Sequence, residues 1–290
     1  MSTAAQSRPD PREWATRVVQ WDPARNSIKR AAHLYARARG GALALGGRSP
    51  VVSNIYAASS PKAGSQWMKA LFDHPVVRGH SRLFTLPQLD YQATLGRPFP
   101  AATFVPGIYL SYEEYLQIPA TRPRRTIYMF RDPRDLVVSG YHSAVKTHRK
   151  VHLREVEEVR DRIRAMSFDD GLLYLIEDGA PRLREIETWV DVEDPDVAKF
   201  RLEDVSAEPR VVVARILRHC GISLSAEELD AVLMDVSRDA LQAKDLAHRS
   251  DGESHYRVRR ESFREVLKPE HLEAIETIVP GLVSRLGYPD

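Results

Sequence analysis

The sequence has few of the features that mark secreted, membrane-spanning or nucleic-acid-binding proteins. It contains one cysteine, Cys220, in 290 residues, which excludes an internal disulfide and favours a reducing compartment. No apolar run approaches the ~20 residues of a membrane span, and the first residues lack the charge, apolar run and cleavage site of a signal peptide. The formal net charge of +2 is smaller than a nucleic-acid binder usually carries. We therefore expect a cytoplasmic protein with neither a membrane nor a nucleic acid as a partner.

Length and composition favour an α/β protein with a sizeable core. The hydrophobic content is 43%, and the length suits one large α/β domain or two small ones. We divide the chain into a helical N-terminal appendix, residues 1–50, and one domain over residues 51–290. Apolar residues with helical spacing cover 13–39, and the pairs Gly40-Gly41 and Gly46-Gly47 are expected to end that segment.

The chain is organised around a strand–loop–helix pattern in residues 51–72. Val51 to Ala58 is apolar and β-branched, as in a short buried strand, and helical spacing resumes at Trp67. The loop between them is rich in glycine and serine, so its backbone N–H groups would face a phosphate at the positive end of a helix. Lys62 adds a cation and Ser65 a hydroxyl donor. The spacing differs from G-x-x-x-x-G-K-[ST], which argues against an ordinary ATP or GTP loop. A plain turn with a solvated lysine is the simpler alternative.

A second strand–loop–helix pattern lies downstream. Arg125 to Phe130 has the composition of a strand, residues 131–135 interrupt it, and a helix is predicted from Leu136 to His142. Two such units separated by helical sequence predict a parallel sheet with ligands at the carboxyl ends of its strands. The pattern also predicts a short helix over 111–117, a solvated charged face over 146–164, a strand over 198–202, helices over 209–219, 226–236 and 269–278, and a tail over 281–288.

Four short segments carry a resemblance to a known family. S-P-K-A-G-S-Q-W (60–67) is similar to the Y-P-K-S-G-T-T-W signature of sulfotransferases that use 3′-phosphoadenosine 5′-phosphosulfate (PAPS), and R-D-P-R-D-L-V-V-S (131–139) resembles their second signature. L-E-D-V (202–205) is similar to their Y-E-D-L segment, and H-Y-R-V-R (255–259) to a degraded R-K-G-x-x-G-D-W-K segment. The resemblance covers roughly 51–275 and keeps the order of all four segments.

This resemblance implies a fold, a reaction and a co-substrate. The fold would be a three-layer α/β/α domain with a central parallel sheet, related to the P-loop nucleotide kinases. The reaction would move a sulfuryl group from PAPS to a hydroxyl or amine of a small-molecule acceptor and release 3′-phosphoadenosine 5′-phosphate (PAP). Sulfuryl transfer resembles phosphoryl transfer, so the protein mainly positions the reactants and stabilises charge on the leaving phosphate. A lysine at the bridging oxygen does this without a metal, and we expect no metal site.

The resemblance also implies roles for individual residues. Lys62 would contact the 5′-phosphate and the bridging oxygen, and Trp67 would stack on adenine. The backbone of Ala63, Gly64, Ser65 and Gln66, with the Ser65 hydroxyl, would hold the 5′-phosphate. The 3′-phosphate would be bound by basic and hydroxyl side chains of the second and fourth segments: Arg131, Ser139, Arg257 and Arg259.

The chain departs from the family pattern at three positions. Gln66 replaces the second threonine of the first signature, and Leu202 replaces an aromatic residue that would contact adenine. The third departure concerns the general base, because Tyr109 stands where many cytosolic members have the histidine of K-T-H-L-P. A helix starting at residue 109 would put Glu113 on the same face as Tyr109, so our hypothesis is that Glu113 is the base or orients Tyr109 in that role.

Other assignments stay open at this point. His80 and His148 are outside candidates for the base and for acceptor binding, since each would reach the pocket from a loop. One alternative function is a regulator that binds PAP and has lost catalysis, which the missing histidine favours. Another is a P-loop-like kinase that uses ATP, which the absent G-K-[ST] and the Arg131…Ser139 pair disfavour. The acceptor, the oligomeric state and the role of residues 1–50 are not predicted.

Overall fold

The computed structural model describes residues 22–47, 49–50, 52–87, 96–119, 123–147, 154–247 and 262–289. Its centre is one five-stranded sheet in which all neighbouring strands are parallel, in the order β2-β3-β1-β4-β5. The strands are β1 Asn54–Ser59, β2 Phe84–Thr85, β3 Thr103–Ile108, β4 Arg124–Phe130 and β5 Val197–Arg201.

Helices connect the strands and continue beyond the last one. Their bounds are α1 Asp22–Leu45, α2 Ser65–Asp73, α3 Pro75–Ser81, α4 Tyr112–Leu116, α5 Pro133–His142, α6 Arg154–Arg164, α7 Phe168–Asp178, α8 Ala180–Val190, α9 Leu202–Ala207, α10 Pro209–His219, α11 Ala226–Asp235, α12 Arg238–Ala247, α13 Phe263–Val266, α14 Pro269–Ile278 and α15 Leu282–Arg285. A π-helix, Ser143–Thr147, continues directly from α5.

Helices cover both faces of the sheet, as the predicted three-layer fold requires. Successive residues of a strand point to opposite faces, and in β1 Ile55 packs with Met68 of α2 while Tyr56 packs with Trp189 of α8. All six residues of β1 are buried. This burial explains the continuous apolar run in the sequence, which is typical of a strand covered on both faces.

The two strand–loop–helix units are confirmed with small shifts in their bounds. The strand of the first unit is Asn54–Ser59 and its helix begins at Ser65, two residues before the predicted start. In the second unit Pro133 begins the helix, and the Asp132 carboxylate caps it by accepting from the Arg134 N–H. The helices Pro209–His219 and Pro269–Ile278 have the predicted bounds. Cys220 lies in the core, and its burial raises the pKa of the thiol.

The N-terminal helix differs from the prediction. It runs from Asp22 through Gly40-Gly41 to Leu45, so the first glycine pair does not end it. A Cβ at position 40 would lie 2.7 Å from the Ala101 carbonyl oxygen, so glycine at 40 lets the helix approach the backbone just before β3 closely. Residues 13–21 lie outside the described residues. Ala36 is buried in the core, and Arg39 donates a hydrogen bond to the Arg82 carbonyl, so the helix packs on the sheet domain. The division at residue 50 stays a prediction.

One side chain and two helices also differ from the sequence prediction. Arg160, assigned to a solvated face, is buried and donates to the Ala144 carbonyl. The helix Arg238–Ala247 was not predicted, and the predicted tail contains the short helix Leu282–Arg285. Across the part of the chain that the structure describes, every helix is too short or too polar to cross a lipid bilayer.

Candidate active site

The carboxyl ends of the parallel strands bring several of the predicted site residues to one edge of the sheet. β1 ends at Ser59 and leads into the 60–64 loop, and β4 ends at Phe130, directly before Arg131. β3 ends at Ile108, directly before Tyr109, and β5 ends directly before Leu202 and Glu203. This edge is where open α/β sheets bind ligands.

The 60–64 loop contains two residues in the left-handed region of backbone space. Lys62 has φ 72° and Gly64 has φ 91°. A Cβ at position 64 would lie 2.7 Å from Leu202 Cδ1, so both the backbone angle and the close approach require glycine there. Helix α2 begins at the buried Ser65 immediately after the loop. Its first N–H groups have no partner within the helix and suit an anion.

Lys62 joins the two strand–loop–helix units. Its Nζ donates to Ser143 Oγ at 3.2 Å. Ser143 is buried and is the first residue of the π-helix, one turn beyond Ser139 on α5. Single-turn π-helices inside α-helical stretches are frequent at functional sites. The contact therefore places the lysine of the first signature against the helix of the second.

Tyr109 reaches the same loop from β3. Its hydroxyl donates to Ser65 Oγ at 2.8 Å, which attaches Tyr109 to the first residue of α2, three residues after Lys62. The prediction that a helix starts at residue 109 is wrong. Ser111 caps a helix that begins at Tyr112, and Glu114 completes a capping box. Glu113 lies exposed in the first turn of that helix and does not share a helical face with Tyr109.

Arg131 is buried between two carboxylates. Its Nη2 lies 3.8 Å from Asp135 Oδ2, and its Nε lies 3.7 Å from Glu203 Oε1. The other oxygen of Asp135, Oδ1, accepts from the backbone N–H of Phe263 at 3.0 Å. Ser139 is partly buried on α5, in the same unit as Arg131. His148, Arg257 and Arg259 lie outside the described residues.

The remaining residues of the first signature differ in their surroundings. Ala63 is fully buried and Gln66 is exposed. Trp67 is partly buried against the core, and its indole N–H donates to the Val236 carbonyl at 3.2 Å. This bond fixes the indole ring against the end of α11.

His80 is not brought to this group of residues. It lies on α3, just before β2, and Phe84 of β2 pairs with Thr103, the first residue of β3. Because the strands are parallel, this is the edge of the sheet where strands begin. The His80 Nε2 is 2.9 Å from Glu228 Oε1, an exposed contact between α3 and α11.

Several residues of the site were missed by sequence reasoning. The Ser59 and Ser60 hydroxyls are buried, and within the described ranges neither has a hydrogen-bond partner. A hydroxyl buried without a partner is costly, so these two hydroxyls are suited to bind a ligand. Ser143 lies four residues after Ser139, and this spacing puts both serines on one face of a helix, which is the signal that could have found it. In the part of the chain that the structure describes, no group of three or more His, Cys, Asp or Glu side chains is placed to hold a metal ion.

Comparison with known families gives one match that spans most of the chain. The family model described as "Sulfotransferase domain" matches residues 53–286. This range contains both strand–loop–helix units and the residues gathered at the carboxyl edge of the sheet. No curated protein matches the sequence.

Solved structures share the fold at low sequence identity. The mouse sulfotransferase SULT7A1 complexed with PAP is 15% identical with a TM-score of 0.55, over 78% of this chain and 82% of that one. Retinol dehydratase in complex with androsterone and PAP is 15% identical with a TM-score of 0.52, over 79% and 80% of the two chains. The same enzyme with retinol and PAP is 16% identical with a TM-score of 0.52, over 79% and 81%. At these identities the likeness establishes the fold.

Proposed function

The chain belongs to the sulfotransferase domain family, and from this we propose that it transfers the sulfuryl group of PAPS to a hydroxyl or amine of a small-molecule acceptor, releasing PAP. The observation that carries the proposal is the bond from Lys62 Nζ to Ser143 Oγ. It puts a cation at the amino end of α2, between the loop suited to a 5′-phosphate and the helix that carries Ser139. The neighbouring structures that contain PAP support the same nucleotide.

The 60–64 loop and the start of α2 suit the 5′-phosphate end of the donor. The left-handed residues of the loop turn the backbone so that α2 begins directly behind it, and Ser65 supplies a hydroxyl. The Ser59 and Ser60 hydroxyls, which lack partners among the described residues, supply further polar contacts in the same place. The fit with an anionic group is therefore good, because donors and the helix dipole converge where Lys62 adds a full charge.

The second unit suits the 3′-phosphate. An arginine fork pairs well with a terminal phosphate, and Arg131 is held in place by Asp135 and Glu203. We assign Ser139, Arg257 and Arg259 to the same phosphate. Phe263, which follows the fourth segment along the chain, donates its backbone N–H to Asp135.

Lys62 is the residue we assign to the transfer step. Negative charge grows on the leaving phosphate as the bond to sulfur breaks, and an ammonium group at the bridging oxygen stabilises that charge. Trp67 holds the adenine through its ring face, with an orientation fixed by the bond to Val236. These residues position the donor and stabilise charge, which is most of what sulfuryl transfer asks of a protein.

Tyr109 is the residue we assign to the acceptor side. It stands beside Ser65, where an acceptor hydroxyl must approach the donor. A neutral phenol side chain is a weak base, so an acidic phenol, which scarcely needs a base, is the acceptor that suits this site best. The complexes of retinol dehydratase with androsterone and with retinol support a small-molecule acceptor. Glu113 and His148 remain assigned as alternative groups on this side, and His80, bonded to Glu228, is set aside.

Radiolabelled PAPS tests the proposal directly. Purified protein is incubated with labelled PAPS and a panel of phenols, aliphatic alcohols and amines, and label transferred to each acceptor is counted. Lys62→Ala serves as the matched inactive protein. Binding of PAP without transfer to any acceptor would favour the regulator that has lost catalysis. Transfer of label from ATP in parallel reactions would favour the P-loop-like kinase.

The single cysteine, Cys220, is buried and free, which supports a reducing compartment. We therefore place the protein in the cytoplasm.

A further inference from the structure

The two carboxylates that flank Arg131 are each held by a residue from the 262–289 segment. Asp135 uses Oδ2 for Arg131 and Oδ1 for the Phe263 N–H. Glu203 uses Oε1 for Arg131 and Oε2 for the Tyr288 hydroxyl, which donates at 2.7 Å. Each carboxylate therefore links the arginine to a group more than a hundred residues away along the chain.

The distances show how the carboxylates act on Arg131. At 3.7 and 3.8 Å these contacts are longer than the ~2.7–2.9 Å of charge-assisted hydrogen bonds. Glu203 and Asp135 therefore orient the guanidinium through charge, from two sides, without forming a close bidentate pair in these contacts. The orientation of the guanidinium depends on where each carboxylate is held.

Tyr288 is fixed over the ends of two neighbouring strands. Phe130 and Arg201 are register partners and the last residues of β4 and β5. The Tyr288 ring meets Phe130 edge-on at 6.3 Å, and the Arg201 guanidinium lies 5.1 Å from the ring centroid. The next residue, Pro289, accepts a hydrogen bond from Arg134 Nη2 through its carbonyl at 2.6 Å. The Tyr288 ring and the residue after it are therefore both held near the carboxyl ends of β4 and β5, from which Arg131 and Glu203 emerge.

The Tyr288 hydroxyl is a permanent donor to Glu203. Burial and the neighbouring Glu203 carboxylate raise the pKa of Tyr288, so the phenol keeps its proton at any working pH. A protonated phenol that donates to one carboxylate oxygen leaves the other oxygen aimed at Arg131. The side chain of Glu203 is one-third exposed, so without this bond it has room to turn away.

We propose that Tyr288 and Glu203 are positioning residues for Arg131, and that they set the preference of the nucleotide site for a ligand with a terminal 3′-phosphate. This role rests on the proposed function, because it requires Arg131 to bind that phosphate. Tyr288 acts on Arg131 through Glu203 and need not touch the nucleotide.

The test compares PAP with adenosine 5′-monophosphate (AMP), which lacks the 3′-phosphate. Tyr288→Phe keeps the ring contacts and the charge of the site and removes only the donor. We expect its affinity for PAP, measured by calorimetry, to fall about three- to tenfold, the range for one net hydrogen bond. Affinity for AMP should change less than about twofold on the same scale. The Michaelis constant for PAPS should rise by the factor seen for PAP, with a smaller change in kcat.

Two further variants make the test specific. Tyr174→Phe removes a comparable tyrosine–carboxylate contact, 3.4 Å to Asp178 on the surface of α7, and should leave both affinities unchanged. Glu203→Asp keeps the charge and shortens the reach, so it should lower PAP affinity in the same direction as Tyr288→Phe. If Tyr288 acts through Arg131, Tyr288→Phe should have no further effect on PAP binding in an Arg131→Ala background.

The possible failures are distinguishable. Wild-type protein that binds PAP no more tightly than AMP would refute the proposed function, and this role with it. Wild-type protein that prefers PAP while Tyr288→Phe keeps the same preference would refute this role alone. Equal losses for PAP and AMP in Tyr288→Phe, or full additivity with Arg131→Ala, would likewise show that the tyrosine only stabilises the fold.

Discussion

Lys62 holds a backbone conformation that its own side chain disfavours, so two substitutions at this position should separate stability from activity. Its φ of 72° lies in the left-handed region, where a residue with a Cβ is destabilised by roughly 1–2 kcal/mol. Strain of this kind is often found at functional sites. Lys62→Ala removes the ammonium and keeps the Cβ, whereas Lys62→Gly removes both.

The expected difference in stability follows from two opposing terms. Glycine relieves the strain of roughly 1–2 kcal/mol but loses about 0.5–1 kcal/mol because the unfolded chain gains freedom. Lys62→Gly should therefore be more stable than Lys62→Ala by about 0.5–1 kcal/mol, which corresponds to roughly 2 °C in Tm for a chain of this size.

Activity should fall equally in both variants. Removing one group that stabilises transition-state charge lowers turnover by about 10²–10³-fold. Because that charge develops as the leaving bond breaks, PAP affinity should fall far less than the single-turnover rate. Thermal melts, single-turnover assays with PAPS and calorimetry with PAP measure the three quantities on the same preparations.

Arg82 provides the matched control for this experiment. It is also a non-glycine residue with positive φ, 56°, at the end of α3, and the contact it makes with Arg39 uses its backbone carbonyl. Arg82→Gly should exceed Arg82→Ala in stability by a similar amount, with full activity in both. The reasoning is refuted if the Arg82 pair shows the difference in stability and the Lys62 pair does not. An unchanged rate together with lost PAP affinity would mean that Lys62 is only a phosphate anchor.

Three other outcomes are expected. Arg131→Ala should weaken PAP far more than AMP by calorimetry, and equal losses would place Arg131 away from the 3′-phosphate. Gly64→Ala should destabilise the protein by about 1–3 kcal/mol in thermal melts, since it combines strain at φ 91° with a contact at 2.7 Å to Leu202. The same change should weaken PAP binding, and adding Leu202→Ala should restore that binding in part. Tyr109→Phe should lower transfer to an aliphatic alcohol about 10²-fold or more across the pH profile, the lower end of what one acid–base group supplies. Glu113→Gln should lower this transfer less, and the reverse order would return the base role to Glu113.

The layers of the fold could be predicted from local signals. An apolar β-branched run followed by a glycine- or proline-containing break marks a buried strand and the turn after it, and this pattern located β1 and β4 to within a few residues. Proline at the first helical position fixed the starts of Pro209–His219 and Pro269–Ile278. These signals depend only on neighbouring residues, so they needed no tertiary information.

The same local rules failed where a distant contact decides the structure. Glycine pairs usually end a helix, but Gly40 lies inside one, at a position where the Ala101 carbonyl leaves no room for a Cβ. The buried side chain of Arg160 follows from its bond to the Ala144 carbonyl, which a charged sequence pattern cannot indicate. In both cases the deciding partner is a backbone group whose position depends on the whole fold.

The site divides in the same way between local and distant determinants. Lys62, Gly64, Ser65 and Arg131 each belong to a short motif, so they could be proposed from the sequence. The contacts of Ser143 with Lys62 and of Tyr288 with Glu203 join residues 81 and 85 positions apart, and no spacing rule connects the two members of either pair.

Tyr109 combines the two kinds of determinant. Its position relative to the second signature follows from the sequence, but the direction of its hydroxyl follows from Ser65 on another strand's loop. The phenol donates this hydrogen bond, so its proton faces Ser65, and the phenol must pass that proton on before its oxygen can accept one from an acceptor. The resemblance to the family motif is therefore enough to propose Tyr109 for the acceptor side, while the chemistry of its hydroxyl depends on a contact with Ser65 that no short motif indicates.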